Sequence, residues 1–141
     1  MPTVDFYVMS DPAPDAHLRY ACRLAEQAVD LGKCVFIRAT SGDEAKRIDD
    51  LLWTFGDRSF LPHEIATAAS PSHPRIRILI GDSPPKSFRD TVINLSRDTP
   101  VDDSIQCIVE LVPNEPERKG LARERFKQYR TRGIEPVTHN V

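Results

Sequence analysis

The residues best placed to do chemistry lie near the C-terminus. Lys119, Arg123, Lys127 and Arg130 follow one another at i, i+4, i+8 and i+11, a spacing that lays them along one stripe of a helix. Ala122, Phe126 and Tyr129 form an adjacent apolar stripe, with Leu121 beside it. A solvated helix face has the same spacing, so the pattern alone does not make a site. What adds meaning is an excess of one sign next to an aromatic. Cations beside an apolar surface suit a peptide with acidic groups and a hydrophobic anchor. Single-stranded nucleic acid is the competing ligand for such a helix. Residues 115–132 hold seven Lys/Arg against three Glu, a charge of +4; the whole chain is −2, so the remainder carries −6. An acidic body repels a phosphate backbone, which favours a local anionic partner over nucleic acid.

Other chemistries leave little trace. Cys22, Cys34 and Cys107 are odd in number and far apart, with no CxxC pair, so neither a zinc site nor a disulfide frame is indicated. Each reads as a small buried hydrophobe in a reducing compartment. His17, His63, His73 and His139 have no metal-ligand spacing, and no GxSxG elbow is present. The loop after the first apolar run, Ser10–Asp15, has two prolines and no glycine. A phosphate-binding loop needs backbone N–H donors, which proline removes. No GxxxxGK[ST] occurs either. The expectation is a protein with no catalytic residues, cofactor or metal. A cryptic enzyme joining Cys22 or Cys34 to a histidine is the least favoured alternative.

A second concentration of large side chains spans residues 51–63, with Trp53, Phe55 and Phe60 followed by Pro62 and His63. Trp53 is the only tryptophan. The stretch is either central core or a patch facing a partner. His63 reads first as a packed, hydrogen-bonded histidine.

These residues must be held by an α/β frame. Val4–Met9 reads as a strand, and Ala16–Leu31 as a helix with Leu18, Ala21, Cys22, Ala25, Ala28 and Val29 on one face, stopped by Gly32. Cys34–Ile37 is a buried strand. A second helix follows Gly42, capped by Ser41 or Asp43. Ile76–Ile80, Thr91–Leu95 and Ile105–Val112 are further strands, residues 64–74 run into a loop, and 115–132 form the last helix, closed by Gly133. Strand–helix alternation at this spacing predicts βαβ units and a mostly parallel sheet covered by helices. At 141 residues one domain is expected, over 1–133, with 134–141 a loose tail. No apolar run approaches membrane-spanning length and no leader pattern opens the chain, so a cytoplasmic protein is expected.

Three stretches taken together resemble the chi subunit of bacterial DNA polymerase III holoenzyme. They are Phe6-Tyr7-Val8, the block Leu52-Trp53-Thr54-Phe55 with Ser59-Phe60-Leu61-Pro62-His63, and Leu111-Val112-Pro113 followed by Leu121 to Arg130. The resemblance implies a three-layer α/β/α sandwich, Rossmann-like but without a nucleotide site. It implies a non-catalytic accessory subunit in DNA replication. Such a subunit joins the clamp-loader assembly through the psi subunit and grips the acidic, phenylalanine-ended C-terminal tail of single-stranded DNA-binding protein, meeting DNA only indirectly. Carried over by motif, the tail site is Val112, Lys119, Arg123, Phe126 and Lys127. Arg123 holds the terminal carboxylate, Val112 and Phe126 line the aromatic pocket, and Lys119 and Lys127 attract the acidic residues. The psi-facing surface includes Trp53 and Phe60, with Pro62 and His63 shaping the loop. Direct binding of single-stranded nucleic acid by the terminal helix stays open as the alternative.

Overall fold

In the computed structural model, which describes residues 2–54, 61–99 and 104–141, seven strands form one sheet. They are β1 (Thr3–Val8), β2 (Val35–Arg38), β3 (His63–Ile65), β4 (Ile78–Gly81), β5 (Thr91–Asn94), β6 (Cys107–Val112) and β7 (Val137–Asn140). Their order is β3-β4-β2-β5-β6-β1-β7, and every neighbouring pair is parallel. The helices are α1 (Ala16–Asp30), α2 (Gly42–Thr54) and α3 (Pro116–Thr131), with a 3₁₀ turn over Lys86–Phe88. This is the α/β architecture expected from the alternating pattern.

The central strands are apolar on both faces, as a parallel sheet covered by helices demands. Val35, Ile37, Ile78, Ile80 and Ile93 join the core beneath α1 and α2. Their alternates Phe36, Leu79 and Val92 join a second core beneath α3. The sheet thus separates two cores, and each helix layer buries its own stripe.

Local chemistry sets the helix ends. At the start of α2 the Ser41 hydroxyl accepts the N–H of Glu44 at 3.2 Å, while the Glu44 carboxylate accepts the N–H of Thr40 at 2.9 Å. That reciprocal pairing satisfies two donors left open at a helix start, and Ser41, not Asp43, is the cap. Both α1 and α3 end in a glycine at positive φ, Gly32 at 80° and Gly133 at 82°. After α3 the N–H of Ile134 reaches the carbonyl of Tyr129 and that of Gly133 reaches Arg130, the six-to-one and five-to-two bonds of a Schellman turn.

That turn explains the main departure from the sequence reading. Residues 134–141, expected to be loose, carry β7, which pairs with β1 in register Asp5–Val137 to Val8–Asn140. Gly133 reverses the chain, Ile134 and Pro136 are buried at the bend, and His139 anchors the strand. Its Nε2 lies 2.9 Å from Asp5 Oδ1, and its ring stacks on Tyr7 at 4.5 Å. β3 is a second such element, lying where the sequence predicts a loop. Both are short edge strands, whose pairing is set by distant β1 and β4 rather than by local pattern.

Candidate functional site

β1, β6, β7 and α3 together enclose a cavity of about 410 Å³. Phe6 and Val8 of β1, Val112 of β6 and Thr138 of β7 supply its sheet side; Ala122 and Phe126 supply the apolar part of its helix side. Lys119, Arg123, Lys127 and Arg130 complete the lining from the same helix. Five residues singled out in the sequence, Val112, Lys119, Arg123, Phe126 and Lys127, therefore meet at one concave surface. Arg130, from the same basic stripe, joins them. Phe6, Val8 and Thr138 are not among the site residues expected from the sequence. The period-two alternation of β1 was a usable signal for the first two; Thr138 had none, because β7 was not foreseen.

Phe126 is held by its neighbours. Its ring centroid is 5.5 Å from that of Phe6, tilted by 49°, and Phe6 in turn meets Tyr129 edge-on at 5.9 Å. The cations differ in freedom. Lys127 lies 3.7 Å from Glu124, and Arg130 lies 3.5 Å from Glu135. Lys119 and Arg123 have no ion pair among the described residues. Arg123 is exposed, so its guanidinium is available for a bidentate contact with a carboxylate.

Not every basic residue of 115–132 belongs to this face. Arg118 and Arg125 are 6% and 2% exposed and point inward with Ala122 and Tyr129. Arg125 Nε donates to Glu110 Oε1 at 3.2 Å, Tyr129 donates to Glu110 Oε2 at 2.7 Å, and Asn94 Nδ2 donates to Oε1 at 2.8 Å. Burial pushes the Glu110 carboxyl up, against the opposing pull of Arg125 and of these three donors. Burial and the Glu110 charge also push the Tyr129 phenol up, keeping it a donor. Arg118 donates to the Leu95 carbonyl at 2.5 Å. The inner stripe of α3 thus carries polar groups bonded to β6 and to the segment after β5, which leaves the outer stripe free to carry charge.

The aromatic stretch lies toward the opposite edge. Trp53, at the end of α2, is 50% exposed, and its ring centroid is 4.7 Å from that of His63. His63 is enclosed: Nδ1 lies 2.6 Å from the Leu61 carbonyl, and Nε2 lies 3.1 Å from Asp49 Oδ1. It supports Trp53 from beneath and presents no surface itself. Pro62 is partly buried. Phe60 lies outside the described residues.

The cysteines are free; Cys22 is buried, and burial raises its thiol to about 12, which makes it a poor nucleophile. Among the described residues, no group of three or more His, Cys, Asp or Glu could hold a metal ion, and no helix is long and apolar enough to cross a membrane.

Residues 1–137 match the family described as DNA polymerase III chi subunit, HolC. The chain belongs to that family. Three relatives are named DNA polymerase III subunit chi. The one from Pseudomonas aeruginosa is 33% identical over 142 aligned positions, covering all of this chain and 98% of the relative. Haemophilus influenzae has one at 32% identity, covering 99% and 97%. The Escherichia coli protein is 33% identical over 80% of this chain and 78% of its own length. Among solved structures, T4 UvsW superposes with a TM-score of 0.67 at 10% identity, over 99% of this chain and 41% of that one. At that identity the likeness is one of fold alone.

Proposed function

We propose that this chain is an accessory, non-catalytic subunit that links the DNA polymerase III clamp-loader assembly to single-stranded DNA-binding protein. The cavity under α3 takes that protein's acidic C-terminal tail. The observation that carries the reading is the meeting of an apolar pocket with four cations on one helix. In it, Val112 and Phe126 contact the aromatic end, Arg123 forks onto the terminal carboxylate, and Lys119 and Lys127 attract the acidic residues before it. The surface around Trp53, with Pro62 and with His63 as its support, takes the psi subunit; the family motif alone adds Phe60. A half-exposed tryptophan resting on a fixed ring is the kind of residue that anchors interfaces.

The tail interaction should be of micromolar class, about −8 kcal/mol, and weaken with salt because its charges are exposed. Calorimetric titration with an acidic peptide ending in a phenylalanine carboxylate tests it. Arg123→Ala is expected to weaken binding at least about tenfold, the scale of a lost charge-assisted pair. Equal binding by both proteins, or a preference for naked single-stranded DNA over the peptide, would overturn the assignment.

A further inference from the structure

β7 closes the sheet but leaves its own outer side open. Val141, just past β7, donates its N–H to the Val8 carbonyl at 3.0 Å, and its own carbonyl accepts the N–H of Ser10 at 2.9 Å. In a parallel pair both backbone groups of a residue point to one side, and the side alternates along the strand. Val137, His139 and Val141 therefore face β1. The N–H and C=O groups of Thr138 and Asn140 face outward, where the sheet has no further strand among the described residues. Side chains alternate as well: His139 stacks on Tyr7, whereas Thr138 lines the cavity. Proteins usually blunt such an edge by brevity, charge or proline; β7, Val-Thr-His-Asn, is short but has no Lys, Glu or Pro within its span. Val137, Thr138 and Asn140 are exposed.

The cavity and the open edge are thus continuous through Thr138. A peptide whose apolar end fills the cavity must leave it past the cations, and Arg130 is the one that lies nearest in sequence to β7. A segment complementary to that rim is acidic, and an acidic segment extends itself by self-repulsion. We propose that the outer edge of β7 is a strand-addition site, on which the acidic part of the cavity-bound peptide pairs in extended form with the outward backbone groups of Thr138 and Asn140. The inference rests on the tail-binding reading of the cavity and deepens it: affinity for the acidic segment comes from main-chain hydrogen bonds as well as charge.

Period two is the signature to seek. A synthetic acidic peptide ending in a phenylalanine carboxylate is compared with two versions N-methylated at alternate backbone nitrogens of the acidic segment, odd in one and even in the other. Only the set facing β7 should weaken binding, by roughly three- to tenfold, the range of one or two hydrogen bonds. Asn140→Pro, which removes an outward N–H where an edge strand tolerates proline, should weaken the unmethylated peptide to a similar degree, whereas Asn140→Ala should not. Amide exchange at Thr138 and Asn140 should slow on binding. If Asn140→Pro does not fold, the two methylated peptides on the native chain decide. Equal binding by both methylated sets overturns the edge site and leaves the cavity reading standing. Failure of the unmethylated peptide to bind overturns both. Self-association of the chain that shields the same two amides without peptide also overturns the inference, by making a second copy the occupant.

Discussion

Glu110 is wholly buried, yet it accepts from Arg125, Tyr129 and Asn94 at once. Removing a buried partner leaves a charge that nothing screens. Glu110→Ala is therefore expected to cost about 3–5 kcal/mol, and Tyr129→Phe about 1.5–3 kcal/mol for one bond to a charged acceptor; chemical denaturation measures both. At the surface the balance runs the other way. Glu135 lies 3.5 Å from Arg130 at the cavity rim, with both side chains largely exposed, so it competes with any acidic ligand. Glu135→Gln should leave stability unchanged and tighten binding of the acidic peptide a few-fold, an effect that salt erases. Arg118 and Arg125 mark the limit of sequence reading at this scale. Arginines at helical spacing look alike whether they face water or a buried carboxylate, and only Glu110, on a distant strand, decides. Arg123 was legible because its neighbours at i+3 and i+4, Phe126 and Lys127, share its face.

Element by element, α1 and α3 were readable because their stops are local: each ends at a glycine at positive φ, and α1 has a hydrophobic periodicity before it. β3 and β7 were not, since three- and four-residue edge strands owe their form to β4 and β1. The first turn of α1 contributes a pH dependence. His17 is buried there, and desolvation holds its pKa below 6.5; Arg118 adds to the lowering, while Glu44, Glu115 and Asp15 oppose it. The unfolded chain therefore binds this proton more readily than the folded one. Stability is fully present well above pH 6.5 and falls as the pH drops through that value toward the folded pKa. Thermal melts across this window should show the loss in the native protein and a flatter profile in His17→Gln. An unchanged slope would mean that His17 is not the group responsible.

At the scale of the whole molecule, the two candidate surfaces stand near opposite edges of the sheet. Trp53 lies against His63 of β3, at one end of the strand order, and the cavity reaches β7 at the other. Six strand spacings separate those edges, about 28 Å at the usual inter-strand distance. The two cores on either side of the sheet are also distinct. An occupant of one surface therefore need not disturb the other, which is what an adaptor requires. The architecture and the basic helix were present in the local pattern of the chain. The cavity was not, because it needs Phe6, Val112 and Thr138 brought together from three strands that are far apart in sequence. The bridging role is tested most directly by immobilising the psi subunit, loading this protein, and then measuring capture of single-stranded DNA-binding protein with and without its C-terminal tail. Capture should require both the loaded protein and the tail. Arg123→Ala should weaken the second step alone, by about tenfold or more, and Trp53→Ala the first. Capture of tailless protein, or release of psi when the tail binds, would contradict the two-surface adaptor.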